Sequence, residues 1–297
     1  METEEQTHLD SRSVFMTDIL ERHEPVLIDT CVVGAGNLFG HLLEHEIYDG
    51  LDSETLDIEK KAQELYIGVM NNGRVLTIPE VRAEHESYMS RIAMRKRDID
   101  RRCNVNINGV TGQVSEALKK ARDLEVICRS FEYVNSLMRV SELDIREDPL
   151  YKTLVKTLNK TQEMLQVKER TGEKYENKGG LGDSDTDEKL VAAFYWILLN
   201  NENSGNSPAI VSCDYDILRL IGASYDVLSD KYLAPFNHGL TEVFEKQDFG
   251  VYIGNFENIG WVIKYSLKTA FCRARPKYNS AKRKNLKRQL KPILMNG

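Results

Sequence analysis

Three short apolar runs constrain this chain more than any other feature: Val26-Leu27-Ile28, then RVLTI at 74–78, then AIVSC at 209–213. Each is too short to be a helix that buries a face, and Pro25, Gly73 and Pro208 punctuate their starts, so each reads as a buried strand. Long helical patterns separate them. The stretch SETLDIEKKAQELYIGVMNNG (53–73) puts Leu56, Leu65, Tyr66, Val69 and Met70 on one stripe, with Ser53 or Thr55 as cap and Asn71-Asn72-Gly73 as stop. Pro79 opens another helix running to about Arg102, where its missing N–H costs nothing. Further helices are predicted near 114–143 and 149–168. The run LVAAFYWILLN (190–200) is apolar on most sides and predicts a buried helix. DYDILRLIG (214–222) predicts a short acid-led one, and GVYIG and WVIKYSL are candidate strands. Strands alternating with helices predict an α/β fold with a central, mainly parallel sheet. No strand-like run occurs from about 86 to 178, which predicts an all-helical insertion.

Acidic residues recur where such strands end. Asp29 follows the first run, and Glu84 lies on the helix after the second. Asp185 and Asp187 precede the buried helix, and Asp214 and Asp216 follow the third run. Ligands of open α/β sheets bind beyond the carboxyl ends of the strands. Four chain segments would therefore deliver carboxylates to one edge. Crowded carboxylates repel and raise one another's pKa unless a cation offsets them. Hard divalent ions such as Mg²⁺ do so through carboxylate oxygens while keeping water, and that water can be activated toward a phosphodiester.

In order and local context these segments resemble the PIN-domain ribonucleases. The family pattern is a strand ending in Asp-Thr/Ser-Asn, then Pro-x-Val-x-x-Glu opening a helix, Asp-x-x-Ile/Leu-x-Ala starting a buried helix, and a strand ending in Thr/Ser-x-Asp. The chain carries Asp29-Thr30-Cys31, PEVRAE ending at Glu84, DEKLVA from Asp187, and SCDYD with Ser212, Asp214 and Asp216. Cys31 stands where the family has Asn. The resemblance implies a three-layer PIN-like domain and a Mg²⁺- or Mn²⁺-dependent endoribonuclease acting on single-stranded RNA. Asp29, Glu84, Asp187 and Asp214 would be its catalytic, metal-holding acids, with Asp185 and Asp216 as auxiliary ligands and Thr30 and Ser212 in support. The expected division is a lead-in at 1–23, core halves at 24–85 and 179–265, the insertion at 86–178 and a basic tail at 266–297.

Charge supports a polyanionic partner. Eleven Lys and Arg and no acid follow Glu257 in a chain whose formal net charge is −6, so the body is strongly acidic and the tail basic. Arg273, Arg275, Lys282, Arg283 and Lys284, interleaved with aromatics, are the expected RNA contacts. The tail could equally fold back on the acidic body. A regulatory protein or a second copy is a further expected partner; a membrane is not. The apolar runs fall short of the ~20 residues a span requires, and the polar start predicts no signal peptide and a cytoplasmic location. Five scattered cysteines without a C-x-x-C pair predict reduced, packed thiols.

Two motifs compete weakly. DSDTDEKLVAAF begins like a calcium loop but lacks its glycine and its closing Glu. HLLEH (His41, Glu44, His45) fits a reversed zinc-peptidase pattern by spacing alone. The remaining alternative is a non-catalytic RNA-binding scaffold with the same fold.

Overall fold

The computed structural model describes residues 11–35, 38–45, 53–107, 114–166, 185–200, 207–228, 249–255, 261–265 and 280–295. Its six-stranded sheet comprises β1 (Val26–Ile28), β2 (Val75–Thr77), β3 (Ser141–Glu142), β4 (Ala209–Ser212), β5 (Gly250–Asn255) and β6 (Trp261–Tyr265), in the order β3-β2-β1-β4-β5-β6. The first five run parallel and β6 pairs antiparallel to β5. All three residues of β1 and all four of β4 are buried. Successive side chains of a strand point to opposite faces, so continuous burial requires helices on both sides. The architecture is thus α/β and layered as expected.

The expected helices form as α4 (Ser53–Met70), α5 (Pro79–Ile107), α6 (Val114–Leu137), α7 (Pro149–Gln166), α8 (Thr186–Asn200) and α9 (Tyr215–Leu228), preceded by α1 (Ser11–Arg22), α2 (Thr30–Ala35) and α3 (Leu38–His45). One residue of the predicted α4 stripe is misassigned: Leu65 is 51% exposed, while Leu56, Tyr66 and Met70 are buried. The segment 86–178 is not all helical, since β3 lies within it and adds to the sheet beside β2. Its helices also divide between two cores. Tyr151, Leu154 and Leu158 of α7 join the core around the sheet. Ile92 of α5 and Ile127 and Phe131 of α6 pack instead with Phe39 and Leu43 of α3.

Both ends of the described chain are built into the sheet domain. Met16, Ile19 and Leu20 of α1 follow an i, i+3, i+4 spacing and lie in the main core. His23 Nε2 and the Tyr252 hydroxyl then hydrogen-bond at 2.7 Å. Gly250 permits that contact, because a Cβ there would meet the Tyr252 ring at 2.3 Å.

At the other end α10 (Ser280–Met295) docks Leu286 and Leu290 into the same core and packs on α7. The described part of the tail thus packs back on the body of the chain. Lys284, Arg288 and Lys291 stay exposed on its outer side. Leu286→Ala is expected to cost about 2–5 kcal/mol of stability in urea denaturation, whereas Leu65→Ala should stay within about 0.5 kcal/mol.

Candidate active site

Asp29 ends β1 and starts α2. Its backbone N–H donates to the Val211 carbonyl at 3.1 Å, which extends the β1–β4 ladder by one residue. Its own carbonyl accepts from the amides of Val32 and Val33, both at 3.0 Å, and so begins the helix. Asp29 is 6% exposed. One oxygen accepts from the Thr30 amide at 2.6 Å, and the other from the Ser212 hydroxyl at 2.6 Å and the Cys31 thiol at 3.1 Å. Burial pushes its pKa above the usual carboxylate range; these hydrogen bonds pull the other way and the charge of Glu84 adds to the rise.

The neighbouring acids are held by the same few residues. Thr30 donates its hydroxyl to Glu84 Oε2 at 2.7 Å, tying the second turn of α5 to the end of β1. Ser212 closes β4 and accepts from the Asp214 amide at 2.9 Å while donating to Asp29. Asp214 in turn accepts from the Asp216 amide at 2.7 Å, an N-cap on α9. Thr30 and Ser212 thus orient the acids.

Asp187 stands in the first turn of α8, with no ion-pair partner among the described residues. Its pKa is pushed up to about 8, first by burial and then by the charges of Asp29, Asp214, Glu188 and Glu84. That list joins the four expected acids in one electrostatic neighbourhood, although they come from four separate segments. Burial and the neighbouring acids thus favour the protonated form of Asp187 in the absence of a cation. The acids share a field without standing at ligand spacing: among the described residues no group of three or more acid, His or Cys side chains is already arranged around an ion position. Chemically the set still suits a hard cation, because it offers carboxylate oxygens and its mutual repulsion is what such an ion offsets.

The remaining expected site residues are distributed differently. Asp185 pairs with Lys189 at 2.8 Å, and the same ammonium reaches Glu80 Oε1 at 3.4 Å. Asp216 pairs with Arg219. Arg273 and Arg275 lie outside the described residues, as do the side chains of Lys282, Arg283, His41, Glu44 and His45. Lys284 is exposed on α10.

Two contributors escaped the sequence reading. Glu188 is buried and acts on Asp187; its only signal was a second acid in the first turn before an apolar run. Lys189 braces the start of α8 against the start of α5, the two helices that carry Asp187 and Glu84. Glu80 Oε2 is buried without a hydrogen-bond partner among the described residues, so removing its cation leaves a poorly solvated acid. Lys189→Met is expected to lower stability by about 1–3 kcal/mol, read by chemical denaturation, with Lys189→Arg retaining most of it.

Comparison of the chain with protein-family models, curated proteins and solved structures returned no match.

Proposed function

We propose that this chain is a Mg²⁺- or Mn²⁺-dependent endoribonuclease of single-stranded RNA, built on a PIN-like α/β domain and working in the cytoplasm. The observation that carries the reading is that Thr30 and Ser212 bind Asp29, Glu84 and Asp214 from three chain segments into one cluster at the ends of β1 and β4, with Asp187 pushed up by the same acids. An acid cluster of this kind is costly unless it has a cation to bind. Asp29, Glu84, Asp187 and Asp214 would hold the ion. When bound, it supplies a more acidic water and offsets charge developing on the phosphodiester.

The chain's own residues prepare that event. Ser212, Cys31 and the Thr30 amide fix the Asp29 carboxylate in one orientation. Thr30 fixes Glu84 through its hydroxyl. A cation held by these acids would favour the ionised form of Asp187, so ion uptake and proton release would be linked. Arg273, Arg275 and the 282–284 cluster are proposed to hold the RNA backbone. Incubating labelled single-stranded RNA with the protein tests this: cleavage should require Mn²⁺ or Mg²⁺ and stop with EDTA.

A second reading draws on α10. Leu286 and Leu290 anchor that helix, and Lys284, Arg288 and Lys291 are left facing outward, as a phosphate-binding surface would need. A non-catalytic RNA-binding scaffold would use that face alone. Salt-sensitive RNA binding by a wild-type protein that never cleaves would favour it.

A further inference from the structure

Cys31, the second residue of α2, and Cys213, which follows β4, come together beside Asp29 although they are far apart in sequence. β1 and β4 are paired in parallel with Ile28 opposite Val211, and each cysteine follows the end of its strand. Cys31 Sγ accepts from the Cys213 amide at 3.0 Å. The Cys31 thiol also donates to Asp29 Oδ2 at 3.1 Å and lies 3.7 Å from Ser212 Oγ. Both cysteines are free and neither is fully buried.

We propose that Cys31 and Cys213 form a reversible intramolecular disulfide that disables the acid site, a modification site for low-molecular-weight disulfides of the glutathione type. The activity it would control rests on the nuclease reading above; the disulfide itself does not. Cys31 Sγ already stands 3.0 Å from the Cys213 backbone nitrogen, so only the Cys213 sulfur has to turn toward it. Side-chain rotation then closes the gap without separating the strands.

The exchange balances in two steps. Cys31 is enclosed by Asp29, Ser212 and the Cys213 backbone, so Cys213 reacts first. Its sulfur, losing a proton to solvent, attacks one sulfur of the oxidised glutathione. The small disulfide breaks and one glutathione leaves, taking up a proton as a thiol. Cys31 then attacks the Cys213 sulfur of the mixed disulfide, losing its own proton, and the second glutathione leaves as a thiol. Two protein thiols are oxidised and one small disulfide is reduced to two thiols.

The consequence falls on two acids. Cys31 loses the hydrogen with which it holds Asp29 Oδ2, and the new bond pulls on the residue preceding Asp214. Removing such outer contacts typically costs about 10–100-fold in metal affinity or activity. A disulfide at a half-buried edge is also of the more easily reduced kind, as a switch requires.

The test uses the full chain treated with oxidised glutathione, quenched with N-ethylmaleimide, digested and mapped by mass spectrometry. A peptide pair linking Cys31 to Cys213, absent after dithiothreitol, is expected. RNA cleavage and the Mn²⁺-induced rise in melting temperature should fall together and return on reduction. Cys213→Ser should keep its basal cleavage and resist the oxidant. The proposal is overturned if both cysteines are recovered alkylated, if only glutathione adducts or links to other cysteines form, or if the linked protein cleaves and binds Mn²⁺ unchanged. Mapping reads the link even in a protein that cuts no RNA, so failure of the nuclease reading is separately visible.

Discussion

Asp29→Asn is expected to lower metal-dependent RNA cleavage by about 10²–10³-fold, the order lost when one preorganised electrostatic group is removed. The substitution keeps the shape of the side chain. The amide oxygen can still accept from the Thr30 N–H, and the NH2 that replaces the other oxygen can donate to the Ser212 hydroxyl, which accepts as well as donates, so the end of β1 should hold. What disappears is a negative charge in a position that is 6% exposed, where solvent does little to screen it. Single-turnover cleavage at saturating Mn²⁺, compared with thermal melting of the same variant, separates the two effects. A variant that melts normally yet cleaves like wild type would remove Asp29 from the mechanism.

The second large effect concerns stability, and it runs opposite to the usual consequence of mutating a buried residue. Asp187→Asn should stabilise the metal-free protein at alkaline pH. The folded-state pKa of Asp187 is raised from the ordinary 3.8 to about 8, so between these values the folded chain binds a proton that the unfolded chain releases. The stabilisation from that proton is fully present below the ordinary carboxylate range and is lost as pH rises through about 8. Asparagine cannot ionise, so the variant escapes this loss. Above pH 8 it should exceed wild type by about 1–3 kcal/mol, after allowing for water that reaches a half-buried group. Melting curves from pH 5 to 9 in EDTA would read it. Equal pH slopes in wild type and variant would mean that Asp187 is not under the strain its surroundings imply.

How far the fold was legible depends on whether burial left a pattern. β1, β2 and β4 are near-continuous apolar runs because both their faces are covered, and they stand where the sequence puts them. The helices at 53–70 and 186–200 were legible through spacing in one case and uniform apolarity in the other. β3 was not, because Ser141 and Glu142 are polar and exposed. An edge pairing with β2 holds them, extended by the Leu143 amide donating to the Thr77 carbonyl at 2.7 Å. Basic composition hid the Leu286–Leu290 pair of α10, although their i, i+4 spacing marks a docking face.

For the site, acids at strand ends were readable because topology alone gathers them at one edge. The role of Cys31 was not. It depends on Ser212 and Cys213 lying across the β1–β4 pairing, a register set by tertiary packing rather than by either segment. The division of labour among the acids was likewise hidden. Lys189 and Arg219 occupy Asp185 and Asp216 through contacts within one helical turn, while the charges that act most on Asp187 are those of other acids.

Direct titration of Mn²⁺ into the metal-free protein at pH 7.5, followed by calorimetry with proton uptake measured in two buffers, bears most closely on the shared acid site. Saturable binding that releases about one proton per protein, and that Asp187→Asn weakens while abolishing the proton release, is the predicted result. Absence of saturable binding, or binding unaltered by that substitution, would contradict it.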